Sequence, residues 1–249
     1  MRRCVLCGLI MAVAQSGLAA DTLETWDHGA GNFEMYSGFG GLGNDAESQS
    51  VDSSLLIGWG VADRFSSYLS TSLSSNGYLT SAESELNLGA FGTLHDSDHL
   101  DFDLGLDMIV SGPGMTEASV VPAFEINLDR TPDLGSYGLY LRGAAILAGA
   151  QYGEDELRRH VDLGLTVGTY YTLSAHQQVL LEYDITVHDE PEPGIPDVER
   201  GALALGYNAL LHDNLELISE ARLNIPQGDE DVEFGFTLGI IATLSAGSR

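Results

Sequence analysis

Lysine is absent from this chain of 249 residues, so its ten basic side chains are all arginine. Against them stand 37 aspartates and glutamates, giving a formal net charge of −27. A polyanion such as nucleic acid is a poor partner for such a surface. Cysteine is almost absent as well. Cys4 and Cys7 both fall within the first twenty residues. If that stretch is removed, the mature chain carries no disulfide and no cysteine metal site. Neither cysteine stands at the expected cleavage junction, which argues against a lipid-anchored product. Beyond residue 20 no apolar run approaches the about 20 residues that a membrane-spanning helix needs.

Residues 1–20 have the layout of a secretory signal peptide. Arg2 and Arg3 form the charged start, Val5 to Val13 the apolar centre, and Ser16 to Ala20 the small residues before a cut after Ala19 or Ala20. The remainder, 21–249, reads as a single domain, with no linker or low-complexity tract.

The chain is rich in alternation. Mean hydropathy is +0.03 despite the acid. With 30 glycines and few helix formers in series, alternating runs of glycine and β-branched residues point to an all-β chain. The pattern predicts about twelve strands, at 32–41, 52–61, 64–74, 82–93, 99–110, 117–128, 136–148, 160–171, 178–188, 199–209, 214–225 and 232–243. Strands of soluble sandwiches are nearer 5–6 residues. The lengths here suit tilted strands that cross a bilayer.

The period of two assigns faces. Leu100, Phe102, Leu104, Leu106, Met108 and Val110 share one side of a strand; Asp101, Asp103 and Asp107 share the other. Val179, Leu181, Tyr183, Ile185 and Val187 oppose Gln178, Glu182 and Asp184 in the same way. A carboxylate against hydrocarbon is costly, so the apolar set is expected to face lipid and the acidic set a lumen. Phe33, Phe39, Trp59, Phe65, Tyr137, Tyr171, Phe234 and Phe236 lie toward strand ends on the apolar side, as interfacial aromatic girdles do. Compact turns follow the even strands: Ala62-Asp63, His95 to Asp98, Thr131 to Asp133, Ser174 to His176 and Leu211 to Asp213. Longer links follow the odd ones, among them 43–50, 149–158 and 189–197. Short turns at one end and long loops at the other complete an antiparallel up-and-down transmembrane β-barrel in the outer membrane of a Gram-negative cell. The tail, Ala246 to Arg249, lacks the terminal aromatic residue with which many bacterial barrels end.

Two stretches invite a chemical reading. His95-Asp96-Ser97-Asp98-His99 is the densest group of potential metal ligands, but it reads better as a polar turn whose Asp and Ser side chains bond their own backbone. No metal is expected there. Ser72 to Gly77 invites comparison with outer-membrane phospholipases. Such a serine needs a histidine at hand to take its proton, and none precedes it in the strand. The stretch reads as a hairpin loop, and a lipid-modifying enzyme is the least favoured function.

The lumen is the better candidate. Inward residues are expected to include Glu34, Tyr36, Arg64, Tyr68, Glu83, Glu85, Asn87, Asp107, Glu125, Asn127, Arg142, Asp162, Thr166, Glu182, Asp184, Glu220, Arg222 and Glu233. Near mid-height stand Tyr36, Tyr68, Asp107, Glu125, Arg142, Glu182, Glu220 and Arg222. Rings of charged side chains set ion preference in narrow pores, while the same groups can also brace a closed barrel as ion pairs. Inward glycines at 58, 60, 89, 105, 164, 168, 206, 235 and 239 remove bulk and suggest an open path. The acid excess fits both a solvated, salt-adapted surface and a lumen that favours cations.

Gly58-Trp59-Gly60-Val61-Ala62-Asp63-Arg64-Phe65 resembles the strand-turn-strand unit of outer-membrane proteins in the MetA-pathway phenol-degradation family. Gly31-Asn32-Phe33-Glu34 at the start of the first strand is similar to that group too. The resemblance implies an outer-membrane channel for small, often aromatic, compounds and transfers no functional residue. The expectation is therefore a passive channel with an acidic lumen, needing no cofactor, with small solutes or cations as cargo and outer-membrane lipid and lipopolysaccharide as surroundings. The alternative is a structural or interaction barrel with a plugged lumen, whose acidic loops Glu154-Asp155-Glu156 and Gly228 to Asp231 bind cations.

Overall fold

The computed structural model describes residues 32–43, 50–76, 82–97, 99–111, 117–128, 137–148, 161–188, 200–225 and 232–245. The expected signal peptide, both acidic loops, the turn at 131–133, the tail, and the side chains of Glu83 and Asp162 lie outside the described residues. The described residues form twelve strands: β1 (Asn32–Gly43), β2 (Ser50–Ala62), β3 (Phe65–Asn76), β4 (Ala82–Asp96), β5 (Leu100–Ser111), β6 (Glu117–Leu128), β7 (Tyr137–Ala148), β8 (Val161–Ser174), β9 (Gln177–His188), β10 (Arg200–His212), β11 (Leu215–Ile225) and β12 (Glu233–Ser245). Each pairs antiparallel with its neighbours in sequence, and β1 pairs with β12 to close the ring. Closure leaves no sheet edge, so every strand has hydrogen-bonding partners on both sides, as a span through lipid requires.

The two faces differ as the alternation demands. On β5, Leu104, Leu106 and Met108 are 44%, 51% and 56% exposed, while Asp103 and Asp107 are each 1% exposed. A water-soluble protein shows the reverse arrangement. Exposed Leu, Ile, Val and Phe side chains recur on every strand's outer face, an area far beyond what water tolerates. The fold is a transmembrane β-barrel. Phe33 pairs with Trp59 and Tyr137 with Tyr171 on the outer face toward the short-turn end. Phe39, Phe234 and Phe236 stand exposed toward the other end.

The strands depart from the sequence expectation mainly by running further. β3 continues to Asn76, so Ser72 to Asn76 are strand and not loop. β4 continues to Asp96, so His95 and Asp96 are strand, and the turn begins at Ser97. There the Ser97 hydroxyl donates to the Leu100 carbonyl at 2.9 Å and its amide donates to Asp101 Oδ1 at 3.1 Å. Among the described residues no three His, Cys, Asp or Glu side chains come together as a metal site.

At the turn end of β2, β4, β8 and β10 the extra length comes with a bulge. The register shifts between Gly60 and Ala62, Thr93 and His95, Thr172 and Ser174, and Leu210 and His212. The extra residue is Val61, Leu94, Leu173 or Leu211, each exposed and apolar. A bulge raises the local twist, which lets a short turn close a strongly coiled hairpin. Three of these turns are also bonded to the next strand: the carbonyls of Arg64, His176 and Asn214 accept from the amides of Thr93, Leu210 and Thr243 at 3.0, 2.8 and 3.0 Å. This placement corrects one expectation. Arg64 is an exposed turn residue and not an inward-facing one.

Candidate functional site in the lumen

Inner-face positions follow from the strand register. Tyr36, Tyr68, Asp107, Glu125, Arg142, Glu182 and Glu220 are all buried on the inner face, with Arg222 nearly so. Asn87, Asn127 and Asp184 join them. Three further buried inner residues that were not singled out are Asp52, Tyr140 and Tyr170. Their signal was available as parity: Tyr140 alternates with Gly138 and Arg142, and Tyr170 with Gly168 and Thr172.

The arginines organise one wall. Arg142 on β7 donates from Nε to Glu125 Oε2 on β6 at 2.8 Å, and its Nη1 lies 3.4 Å from Glu182 Oε1 on β9. Its guanidinium sits 4.8 Å from the centre of the Tyr140 ring, a cation–π distance. The Tyr140 hydroxyl donates to Glu182, and Asn127 Nδ2 donates to Glu125 Oε1 at 2.6 Å. Arg222 on β11 lies 3.1 Å from Asp184 Oδ2 and 4.0 Å from Glu220 Oε1. Thr166 donates to the same Asp184, and Arg222 Nε donates to Asn224 Oδ1 at 3.0 Å. Two arginines thus thread four carboxylates into a ladder from β6 to β11.

The other wall has no such cations. Strands β1 to β6 contain neither arginine nor lysine, yet Glu34, Asp52, Glu85, Asp101, Asp103, Asp107 and Glu125 sit on their inner face. Glu125 is held by Arg142 from β7, while neutral donors serve Asp107 and Glu34. The Tyr68 hydroxyl donates to Asp107, and Thr243 Oγ1 donates to Glu34 Oε1 at 3.0 Å.

Inward glycines play a different part from the one expected. Tyr68 lies over Gly89, Tyr140 over Gly168 and Tyr170 over Gly138, each its direct cross-strand partner. Tyr36 covers both Gly38 and Gly239, which pair with each other. A Cβ at any of these five glycines would overlap the ring. The missing side chains at Gly89, Gly168 and Gly239 therefore make room for flat-lying tyrosines and leave no free bore there. The result is a closely packed mid-section: Tyr36, Asp103, Asp107, Glu125, Glu182, Glu220 and Thr237 are each 1% exposed.

No family model and no curated protein matches the sequence. Solved structures do match in fold. The NanC porin aligns with a TM-score of 0.64 at 10% identity, over 85% of this chain and 100% of its own. An outer membrane channel from Pseudomonas putida F1 aligns with a TM-score of 0.59 at 10% identity, over 95% of this chain and 100% of its own. The β domain of the Bordetella autotransporter BrkA aligns with a TM-score of 0.54 at 11% identity, over 86% of this chain and 100% of its own. At these identities the likeness is one of fold, and the fold is shared by porins, a channel and an autotransporter domain.

Proposed function

We propose that this protein is a passive outer-membrane channel for small solutes, with a preference for cations over anions. The observation that carries the reading is the charged inner face. A barrel that needed only stability could fill its core with apolar side chains, because buried ion pairs often stabilise no better than well-packed hydrophobic residues. Here two arginines and a surplus of carboxylates occupy the interior, and β1 to β6 contribute acid without any Arg or Lys. Carboxylate-lined walls attract cations and repel anions in a narrow, weakly screened space. The shared fold of the NanC porin and the Pseudomonas putida F1 channel is in keeping with transport. The MetA-pathway resemblance adds small aromatic compounds as candidate cargo. Surrounding partners on this reading are outer-membrane lipid and lipopolysaccharide, and no catalytic step is involved.

One observation favours a second reading, a structural barrel with a plugged lumen. The mid-height side chains are buried, so a solute must displace them to pass. Planar-bilayer recording decides between the two. Discrete conductance steps from purified protein are the expected result; their absence across a range of salt concentrations would favour the plugged barrel. Replacing both Arg142 and Arg222 with Ala releases the ladder carboxylates and is expected to raise cation selectivity. Unchanged conductance and selectivity would remove the ladder from the permeation path.

A further inference from the structure

Apolar side chains on the inner face are gathered into a belt. Tyr36, Leu56, Tyr68, Phe91, Ile218 and Ile241 form a single buried cluster, in which Ile241 is the most exposed at 7%. They come from β1, β2, β3, β4, β11 and β12, six strands that adjoin one another around the ring. Tyr36 pairs directly with Leu56 on one side and with Ile241 on the other, so the cluster crosses the β1–β12 closure unbroken. Each of the six stands at the middle of its strand or nearer to its short-turn end. A second cluster, Tyr140, Tyr170 and Leu180, stands on β7, β8 and β9, again toward the short turns. Polar residues bound the belt above and below. One inward step nearer the turns, Glu34, Thr93, Glu216 and Thr243 are half-buried. One inward step nearer the loops, Ser54 and Ser70 are half-buried as well. On β11 the arginine ladder takes over where the belt stops, with Glu220 and Arg222 following Ile218 toward the loops.

Leu, Ile and Phe side chains cannot replace the water around an ion or hydrogen-bond to a polar solute. In a narrow lumen an apolar tier expels water, and hydrophobic constrictions close other pores in this way. We propose that the belt is the permeation barrier of this channel, a dry section between the water on the loop side and the water on the turn side. The proposal rests on the channel reading and adds where passage is limited, and by what chemistry. The carboxylates and the ladder act on the sign of an approaching ion; the belt controls how many pass. Tyr36 and Tyr68 cover Gly38, Gly239 and Gly89, so altering either ring also uncovers a glycine. Leu56, Phe91, Ile218 and Ile241 cover none of these glycines, and they are the members whose polarity can be changed alone.

Two measurements on the full-length refolded protein test the proposal, each on variants that run as the folded, heat-modifiable band. The first is conductance in KCl across a planar bilayer. Leu56→Asn and Ile241→Thr nearly keep side-chain size but let the wall hydrogen-bond, and each is expected to raise mean conductance several-fold. Ile109→Thr makes the same kind of change in a buried inner-face cluster of β5, β6 and β7 nearer the loops, and should conduct as the parent does. A silent parent that either belt substitution opens also supports the barrier. If the parent conducts and the belt variants match it, the barrier is refuted and the channel stands. If parent and belt variants are all silent, both readings fail. An equal rise in Ile109→Thr refutes the belt as the limiting section. The second measurement needs no conduction. With Cys4 and Cys7 replaced by Ser, single cysteines are placed at Leu56, Ile241 and Ser70 and treated with a charged, membrane-impermeant thiol reagent. Apolar burial keeps a thiol protonated, so Leu56→Cys and Ile241→Cys are expected to react at least about tenfold more slowly than Ser70→Cys. Equal rates would overturn the proposal by showing water within the belt.

Discussion

At the scale of single residues, the inner wall is built from tyrosine rings laid on glycines. Glycine weakens an isolated strand, because it has no side chain to pack and more freedom to lose. An aromatic ring on the paired strand offsets that weakness by covering the bare backbone. Tyr140 over Gly168 shows the double benefit, since the same ring then supports Arg142 and its hydroxyl reaches Glu182. Substituting Gly168 by Ala is expected to destabilise the barrel by about 1–3 kcal/mol, the usual cost of forcing extra atoms into a packed site. Unfolding in urea from lipid vesicles measures it. Combining Gly168→Ala with Tyr140→Ala should cost less than the sum of the single changes, because the second removes the ring that the first strikes. Strict additivity would mean that the ring and the new methyl group do not meet.

Between residue and barrel, the repeating element is the bulged hairpin. Sequence parity located the strands and their faces, because side-chain alternation and backbone pleat share a period of two. Bulges escaped the same reading. An extra residue such as Val61 or Leu211 sits among apolar neighbours and looks like one more step of the strand. Only the pairing shows that Gly60 and Ala62 oppose Ser66 and Phe65 with Val61 between them. Arg64 was misplaced for this reason: the bulge delays the turn and carries Arg64 into it. Deleting Val61 is expected to reduce the yield of folded barrel in refolding, read as the heat-modifiable band on a gel, because the turn loses the twist it was fitted to. Val61→Ala keeps the extra residue and should refold as the parent does. An undiminished yield from the deletion would show that the bulge is dispensable.

For the whole molecule, the decisive contrast is between the medium outside and the charges within. The outer band of exposed Leu, Val and Phe has one suitable solvent, the hydrocarbon of a bilayer. The cost of a charge on that band should therefore depend on depth. Leu205, near the middle of β10, is 53% exposed on the outer face, and Leu211, at its turn end, is 57% exposed. Substituting Leu205 by Arg is expected to cost about 2–4 kcal/mol of folding stability in phospholipid vesicles, and Leu211 by Arg only about 0–1 kcal/mol. Urea titration of both variants checks the difference. Equal costs would place the two positions at the same depth or outside the membrane altogether.

The sequence alone determined the class of fold, the number of strands and the side that residues within the strands face, while Arg64 was misplaced at a turn. Those properties are local: they depend on alternation along a strand and on turn residues between strands, and both are written in consecutive positions. The same alternation supplied the eight lumen candidates. The tertiary structure decided which of them meet. Arg142 touches Glu125 and Glu182 because β6 to β9 pair in one particular register, and Arg222 reaches Asp184 across the intervening β10. Tyr68 and Asp107 are 39 residues apart in the chain and share a hydrogen bond across Gly89. The same distinction separates an open lumen from a filled one. Glycine spacing suggested room, but the free space over a glycine belongs to whichever neighbour leans into it, and here the pairing of neighbouring strands brings tyrosines to that position.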